Sequence, residues 1–286
     1  KHNNHFKTKT LFMKLILITF CSFFFGNVGC NYTNMNSEPL LEASNYIIPK
    51  DFTDYWYAGN AEVNAYDLEQ SRYDEIRRGD AVMVFVTEDF SKSKQVKLDY
   101  PQKAPLDAVS VLKLNHLKRF HTGIYDYSIM LSAFTPVDIK SHPNTLKATF
   151  SSQDWCGQVF SQMNLEKAGE YRYNGMSYFE SEGDQTETIK GAILEDEIWN
   201  RLRIDPQSIP TGEVLLIPSM SYGRLQHNPS KSSSARLTFE NKTESTSDLK
   251  IEYLHIERSV NITCENSFPF KIFLLLVSTG FRPSSK

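Results

Sequence analysis

The residues best equipped for chemistry are Asp154-Trp155-Cys156-Gly157-Gln158, where an acid stands two positions before a thiol. A cysteine becomes a strong nucleophile when a histidine takes its proton and an acid orients that histidine. Cys156 is therefore the candidate centre of an envelope hydrolase or thiol enzyme. No particular histidine can be joined to it from sequence, and an exported thiol is open to oxidation. The competing reading is structural: Trp155 packs beside a structural Cys156, and Gly157 accommodates a strand bulge. That reading fits the strand context better, so no catalytic residue is assigned. Cys156 could instead pair with Cys264, the other cysteine of the body. Such a disulfide would close a long loop and add about 4 kcal/mol.

Other candidates are weaker. His116 and His121 stand five apart, off-register for a shared metal on a helix and on opposite faces of a strand. They read as solvated surface histidines. The acidic run Glu195-Asp196-Glu197 lacks the alternating spacing and turn glycine of a calcium loop, and reads as a solvated helix face. Neither a metal nor a cofactor is implied. Phosphate-loop, zinc-helix, nucleophile-elbow and dinucleotide-binding patterns do not occur. Aromatic residues remain: Tyr57, Tyr66, Tyr73, Tyr125, Tyr127, Trp155 and Tyr178 could line a groove for lipid, peptide or glycan, or could be ordinary core and girdle residues.

The N-terminal region reads as an address. Residues 1–12 lie upstream of Met13, the natural initiator. Met13-Lys14 then supplies a basic start, Leu15–Phe25 an apolar run, and Gly26–Gly29 small residues before Cys30. This is the layout of a secretory signal over 13–29, too short to span a bilayer comfortably. Gly29 before Cys30 suits lipoprotein processing, which leaves lipid on the Cys30 thiol, although Asn27 stands where such signals usually carry Leu. The expected location is lipid-anchored, at the outer membrane or the periplasmic face of the envelope. Removing residues 1–29 takes away four of 31 basic residues and none of 34 acidic ones, moving the net charge from −3 to −7. Nucleic acid, which needs a concentrated positive surface, is not an expected partner.

Residues 30–54 read as a polar tether and 55–270 as a globular body. Period-two alternation marks strands at Ala61–Gln70, Ala81–Val86, Gln95–Asp99, Ser110–Leu114 and Thr122–Pro136. A helix over Leu68–Arg78 competes with the extended reading there, and Gly79-Asp80 reads as a turn. Asn174-Gly175 predicts a hairpin between Tyr171–Tyr173 and Met176–Phe179. Apolar spacing predicts a helix over Ile189–Arg203, stopped before Pro206. Strands follow at Glu213–Ile217, Ala235–Phe239, Leu249–Leu254 and Ser259–Thr263. The expected fold is mainly β (α+β), with curved, mostly antiparallel sheets and one or two helices.

Trp56–Glu62, Tyr66–Tyr73, Ala81–Phe90, Tyr125–Met130, Asp154–Gln158 and Ser177–Glu180 together resemble an uncharacterised family of Bacteroidota lipoproteins, over most of Trp56–Phe270. Some of its members carry the name "septum formation inhibitor Maf". Genuine Maf proteins are cytoplasmic α/β nucleotide pyrophosphatases with a Ser-x-Ser-x-Arg signature that this chain lacks, so that activity is the least favoured alternative. The chain also resembles periplasmic proteins with a long curved sheet, in which a Leu-Arg pair precedes a Pro-x-Gly turn, as Leu202-Arg203 precedes Pro210-Thr211-Gly212. That resemblance implies a binding or envelope-assembly role. Residues 271–286 depart from the family, whose members end in a polar, Trp-containing tail. The functional expectation is a non-catalytic envelope protein that binds a lipid, a glycan or a partner protein.

Overall fold

A computed structural model describes residues 48–191, 193–228 and 231–279. The body begins slightly earlier than expected. Helix α1 (Lys50–Trp56) occupies the end of the presumed tether and buries Phe52 and Trp56, one turn apart on a single face.

Eight strands then run as an uninterrupted antiparallel meander: β1 (Glu62–Arg72), β2 (Glu75–Ser91), β3 (Ala108–Thr122), β4 (Tyr125–Pro136), β5 (Lys147–Asp154), β6 (Gly157–Lys167), β7 (Glu170–Ser177) and β8 (Gln185–Lys190). The alternation that predicted them is the alternation that buries them. Phe120, Ile129, Phe150 and Met163 all face inward, and their neighbours in sequence face out. Tyr73-Asp74, both at positive φ, turn β1 into β2, so Leu68–Arg78 is a hairpin and not a helix.

A second sheet has the order β14-β13-β12-β11-β10-β9, from β9 (Ile193–Leu194), β10 (Gly212–Ile217), β11 (Ser233–Asn241), β12 (Thr246–Tyr253), β13 (Arg258–Glu265) and β14 (Ile272–Thr279). Only β9 with β10 is parallel. The atypical segment after Phe270 thus contributes β14, paired along β13. The architecture is mainly β, with curved, mostly antiparallel sheets and short helices. Among the described residues, no helix is long and apolar enough to cross a membrane.

Four local expectations fail for physical reasons. Gly79 lies inside β2 and not at a turn; a Cβ there would stand 1.9 Å from the Arg119 carbonyl oxygen, so glycine permits the close approach of β3. Asn174-Gly175 lies inside β7, where a Cβ on Gly175 would meet the Tyr173 hydroxyl at 2.7 Å; the β6–β7 turn falls at Ala168-Gly169, with Gly169 at positive φ. Gln95–Asp99 is a loop joined to β2 by one isolated bridge, Phe90 to Lys97. The helix expected over Ile189–Arg203 is only α2 (Ile198–Ile204), because Ile189 closes β8 and Ile193-Leu194 pair with β10.

Helix α2 is buried on every side, as is the 3-10 turn Glu195–Glu197 before it. The acidic run is therefore not a solvated face. Glu195 accepts from Arg258 and from the Tyr253 hydroxyl, and Glu197 accepts from Arg201 Nε at 2.6 Å. Asn200 Nδ2 donates to the carbonyls of Leu112 and Ala133 and to Thr135 Oγ1, pinning α2 to β3 and β4. Arg203, fully buried, pairs with Glu62 and lies over the rings of Trp56 and Phe85 at 5.2 and 5.3 Å.

Candidate functional site

At one end of the meander, polar side chains converge on a cavity of about 160 Å³ between β6, β7, β8 and helix α3 (Met220–Gln226). Pro218-Ser219 starts α3: the Ser219 hydroxyl accepts from the Ser221 N–H at 3.2 Å. His227 ends it in the left-handed conformation, at φ 52°. These caps fix Arg224 and His227, three residues apart, on the side facing the cavity.

Asp154 does not line the cavity but holds Arg224, which does. Its Oδ1 accepts from the N–H groups of Cys156 and Gly157 at 2.8 and 3.1 Å, closing the β5–β6 turn. Its Oδ2 accepts from Arg224 Nη2 at 3.3 Å. Arg224 Nη1 donates to Glu182 at 3.2 Å, and the guanidinium lies 4.2 Å from the centre of the Phe179 ring. Glu182 also accepts from Ser177 Oγ at 2.7 Å and from His227 Nδ1 at 2.8 Å. His227 Nε2 lies 3.4 Å from Arg72 Nη2, and its Nδ1 lies 3.4 Å from Arg224 Nη1.

Two carboxylates, Asp154 and Glu182, and two guanidiniums, Arg224 and Arg72, thus gather around the His227 imidazole. Their hydrogen bonding is not complete. The Nε–H of Arg224, a side chain only 3% exposed, has no partner among the described residues. An unmade bond of this kind costs about 1–3 kcal/mol. Opposite it, the Ser161 and Tyr173 hydroxyls bond each other at 3.0 Å. The cavity resembles in size the engineered spaces of about 150 Å³ that hold benzene, but its wall mixes polar with apolar surface.

Asp154 is thus committed to its turn and to Arg224, while the Cys156 thiol is exposed on the turn itself. The disulfide is absent: Cys156 and Cys264 are both free, one on the exposed β5–β6 turn and the other buried in β13. Burial pushes the Cys264 thiol up to about 11, keeping it protonated. His116 is a core residue set edge-on to Trp199, with burial holding it well below its usual range, so it is not a surface histidine. His121 is exposed beside Asp126.

The aromatic residues do not form one groove. Tyr57 bonds Ser110, and Tyr66 donates to the Ile272 carbonyl from inside the fold. Tyr73 and Tyr127 join hydroxyls at 3.0 Å beside Arg72. Trp155 and Tyr125 meet edge-on at 6.2 Å on the outside, and Tyr178 stands 72% exposed. Sequence patterning names residues in strands, but strand pairing distributes them along the sheet. Cys30 lies outside the described residues.

Sequence reasoning missed Arg72, Arg224 and His227. The one available signal was the Pro218-Ser219 helix start, which would have located α3 but not its partners. Among the described residues, no three His, Cys, Asp or Glu side chains are grouped to hold a metal. A second buried cluster also has perturbed groups, beside an open depression of about 740 Å³ lined by Tyr253 and Arg258. Burial pushes Asp196 up to about 6, and burial together with Arg258 pulls Lys118 down to about 8. No protein-family model, curated protein or solved structure matches this chain.

Proposed function

We propose that this chain is a lipid-anchored protein of the cell envelope whose β body binds a small, neutral, oxygen-bearing molecule in the cavity beside α3. The observation that carries the binding reading is the buried Arg224 Nε–H, without a partner among the described residues, on a side chain that borders the cavity and is paired with carboxylate. An uncharged acceptor suits such a wall, because it would satisfy the donor without upsetting the paired charges. The address rests on Met13–Cys30 and on the resemblance to Bacteroidota lipoproteins.

Metabolic labelling with a fatty-acid analogue tests the anchor: label on the wild type and none on Cys30→Ala is expected, and equal label on both would defeat it. Binding is tested by comparing protein extracted from cells with the same protein unfolded, dialysed and refolded. A retained ligand stabilises only the extracted form, by the ratio of its concentration to its dissociation constant. A higher melting temperature before refolding is expected; identical temperatures count against a resident ligand.

A further inference from the structure

The outer face of the meander is a second surface with its own chemistry. Residues registered across neighbouring strands share a face, so strand register defines rows running across the sheet. One row reads Asn115, Ser132, Thr149, Gln162, Asn174 and Thr186, from β3 to β8. Every member is a neutral amide or hydroxyl. The adjacent row reads Leu117, Met130, Ser151, Phe160 and Met176. Met130, Phe160 and Met176 are 37%, 41% and 60% exposed. At a strand spacing of about 4.8 Å, the polar row runs about 24 Å along the curved surface.

Neither row contains a charge, although 23% of the chain is charged. Natural sheets usually place charged residues on a solvent-facing surface, so two uncharged rows side by side call for a reason. Their hydrogen bonds supply one. The Ser132 hydroxyl donates to the Asn115 side-chain oxygen at 2.7 Å, and the Thr186 hydroxyl donates to that of Asn174 at 3.2 Å. Both amide oxygens are thereby held, and both amide NH2 groups are fixed donors without a partner among the described residues. One border of this surface is built by the loop after β2, where Gln95 donates to the Leu165 carbonyl at 2.6 Å and accepts from Asn164 at 2.7 Å. The opposite border carries the exposed Trp155 and Tyr125 pair.

The geometry points to a binding surface for a neutral glycan on the outer face of β3–β8. Oriented amides hydrogen-bond sugar hydroxyls, and the apolar row with Phe160 and Trp155 receives the C–H faces of the rings. An acidic or basic polymer would lack any partner for its charge in these rows. The flanking rows of the same face do carry cations, Lys113, Lys147 and Arg172 on one side and Arg119 on the other. Lys113 and Arg172 pair with Glu88 and Glu166 and Lys147 donates to the Gln95 carbonyl, so the two rows themselves suit an uncharged polyol. This surface shares no residue with the cavity wall beyond Met176, so it stands apart from the small-ligand reading.

Affinity gel electrophoresis of the full chain in mild detergent tests the proposal, with gels containing hydroxyethylcellulose, mannan, dextran or, as the ionic comparator, polygalacturonate. Retardation is expected in at least one neutral polymer and not in polygalacturonate. Phe160→Ala and Trp155→Ala should each weaken it by about tenfold. Trp155 lies on an exposed turn, so its variant decides the matter if Phe160→Ala fails to fold. Mobility unchanged in every neutral polymer, equal retardation in polygalacturonate, or retardation untouched by Trp155→Ala overturns the proposal.

Discussion

Two buried arginines divide this molecule. Arg203 and Arg224 each pair with carboxylate, each lie over an aromatic ring and each keep nitrogen atoms without a hydrogen-bond partner. Arg203 is enclosed by Trp56, Phe85 and Glu62, inside a core that leaves it no exposure. Its unmatched N–H groups have ring faces nearby. Arg224 borders a cavity. The same side chain with similar partners is a structural fastener where packing is complete and a binding group where space is left. Residue type and burial do not separate the two roles; the adjoining volume does.

The comparison is broken most forcefully in the packed region. Glu197→Ala leaves Arg201 buried without its carboxylate and should lower stability by about 3–5 kcal/mol, read from denaturant unfolding. A loss below about 1 kcal/mol would mean that this region tolerates unpaired charge and is not tightly packed.

Acid titration sharpens the same point. Asp196 titrates at about 6 in the folded protein, above its ordinary 3.8, because burial disfavours the carboxylate. The folded state therefore holds more protons than the unfolded one between these values. Its contribution is fullest below about 4 and is lost as pH rises through about 6. Relative to Asp196→Asn, the wild type should gain on the order of 2–3 kcal/mol as pH falls from about 6 to about 4. A flat difference across that window would show that Asp196 is hydrated.

At the cavity, the effects should be smaller. Arg224→Met removes the cation between Asp154 and Glu182, but the opening admits water to Glu182 and Asp154 keeps the Cys156 and Gly157 N–H groups, so a loss of about 1–3 kcal/mol is expected from thermal unfolding. A loss as large as that of Glu197→Ala would class Arg224 with the fasteners. The smallest effect belongs to Cys156→Ala, which changes an exposed side chain and should stay within about 0.5 kcal/mol. In the wild type, a thiol reagent should modify Cys156 in the native state and Cys264 only on unfolding.

The strands were legible because burial on one face of a sheet writes itself into sequence at period two, as in Tyr127-Ser128-Ile129-Met130-Leu131. The α2 segment was not, because its partners are themselves charged or polar: Glu197, Asn200, Arg201 and Arg203 mimic a solvated helix when their contacts are unknown. Asp154 stood out from sequence only as a neighbour of Cys156. Its partner Arg224 is 70 residues away, and Arg72 reaches His227 across 155. Ion pairs over such separations have no period, and only the fold brings them together. The outer rows were illegible for a related reason: each contributes one residue per strand, and register alone aligns them.

The most direct test is native mass spectrometry of wild type and Arg224→Met, each extracted from cells in mild detergent. The wild type should carry a small-molecule adduct, absent from an Arg224→Met protein that remains folded. A wild type without an adduct, or the same adduct on both proteins, would contradict a ligand site beside α3.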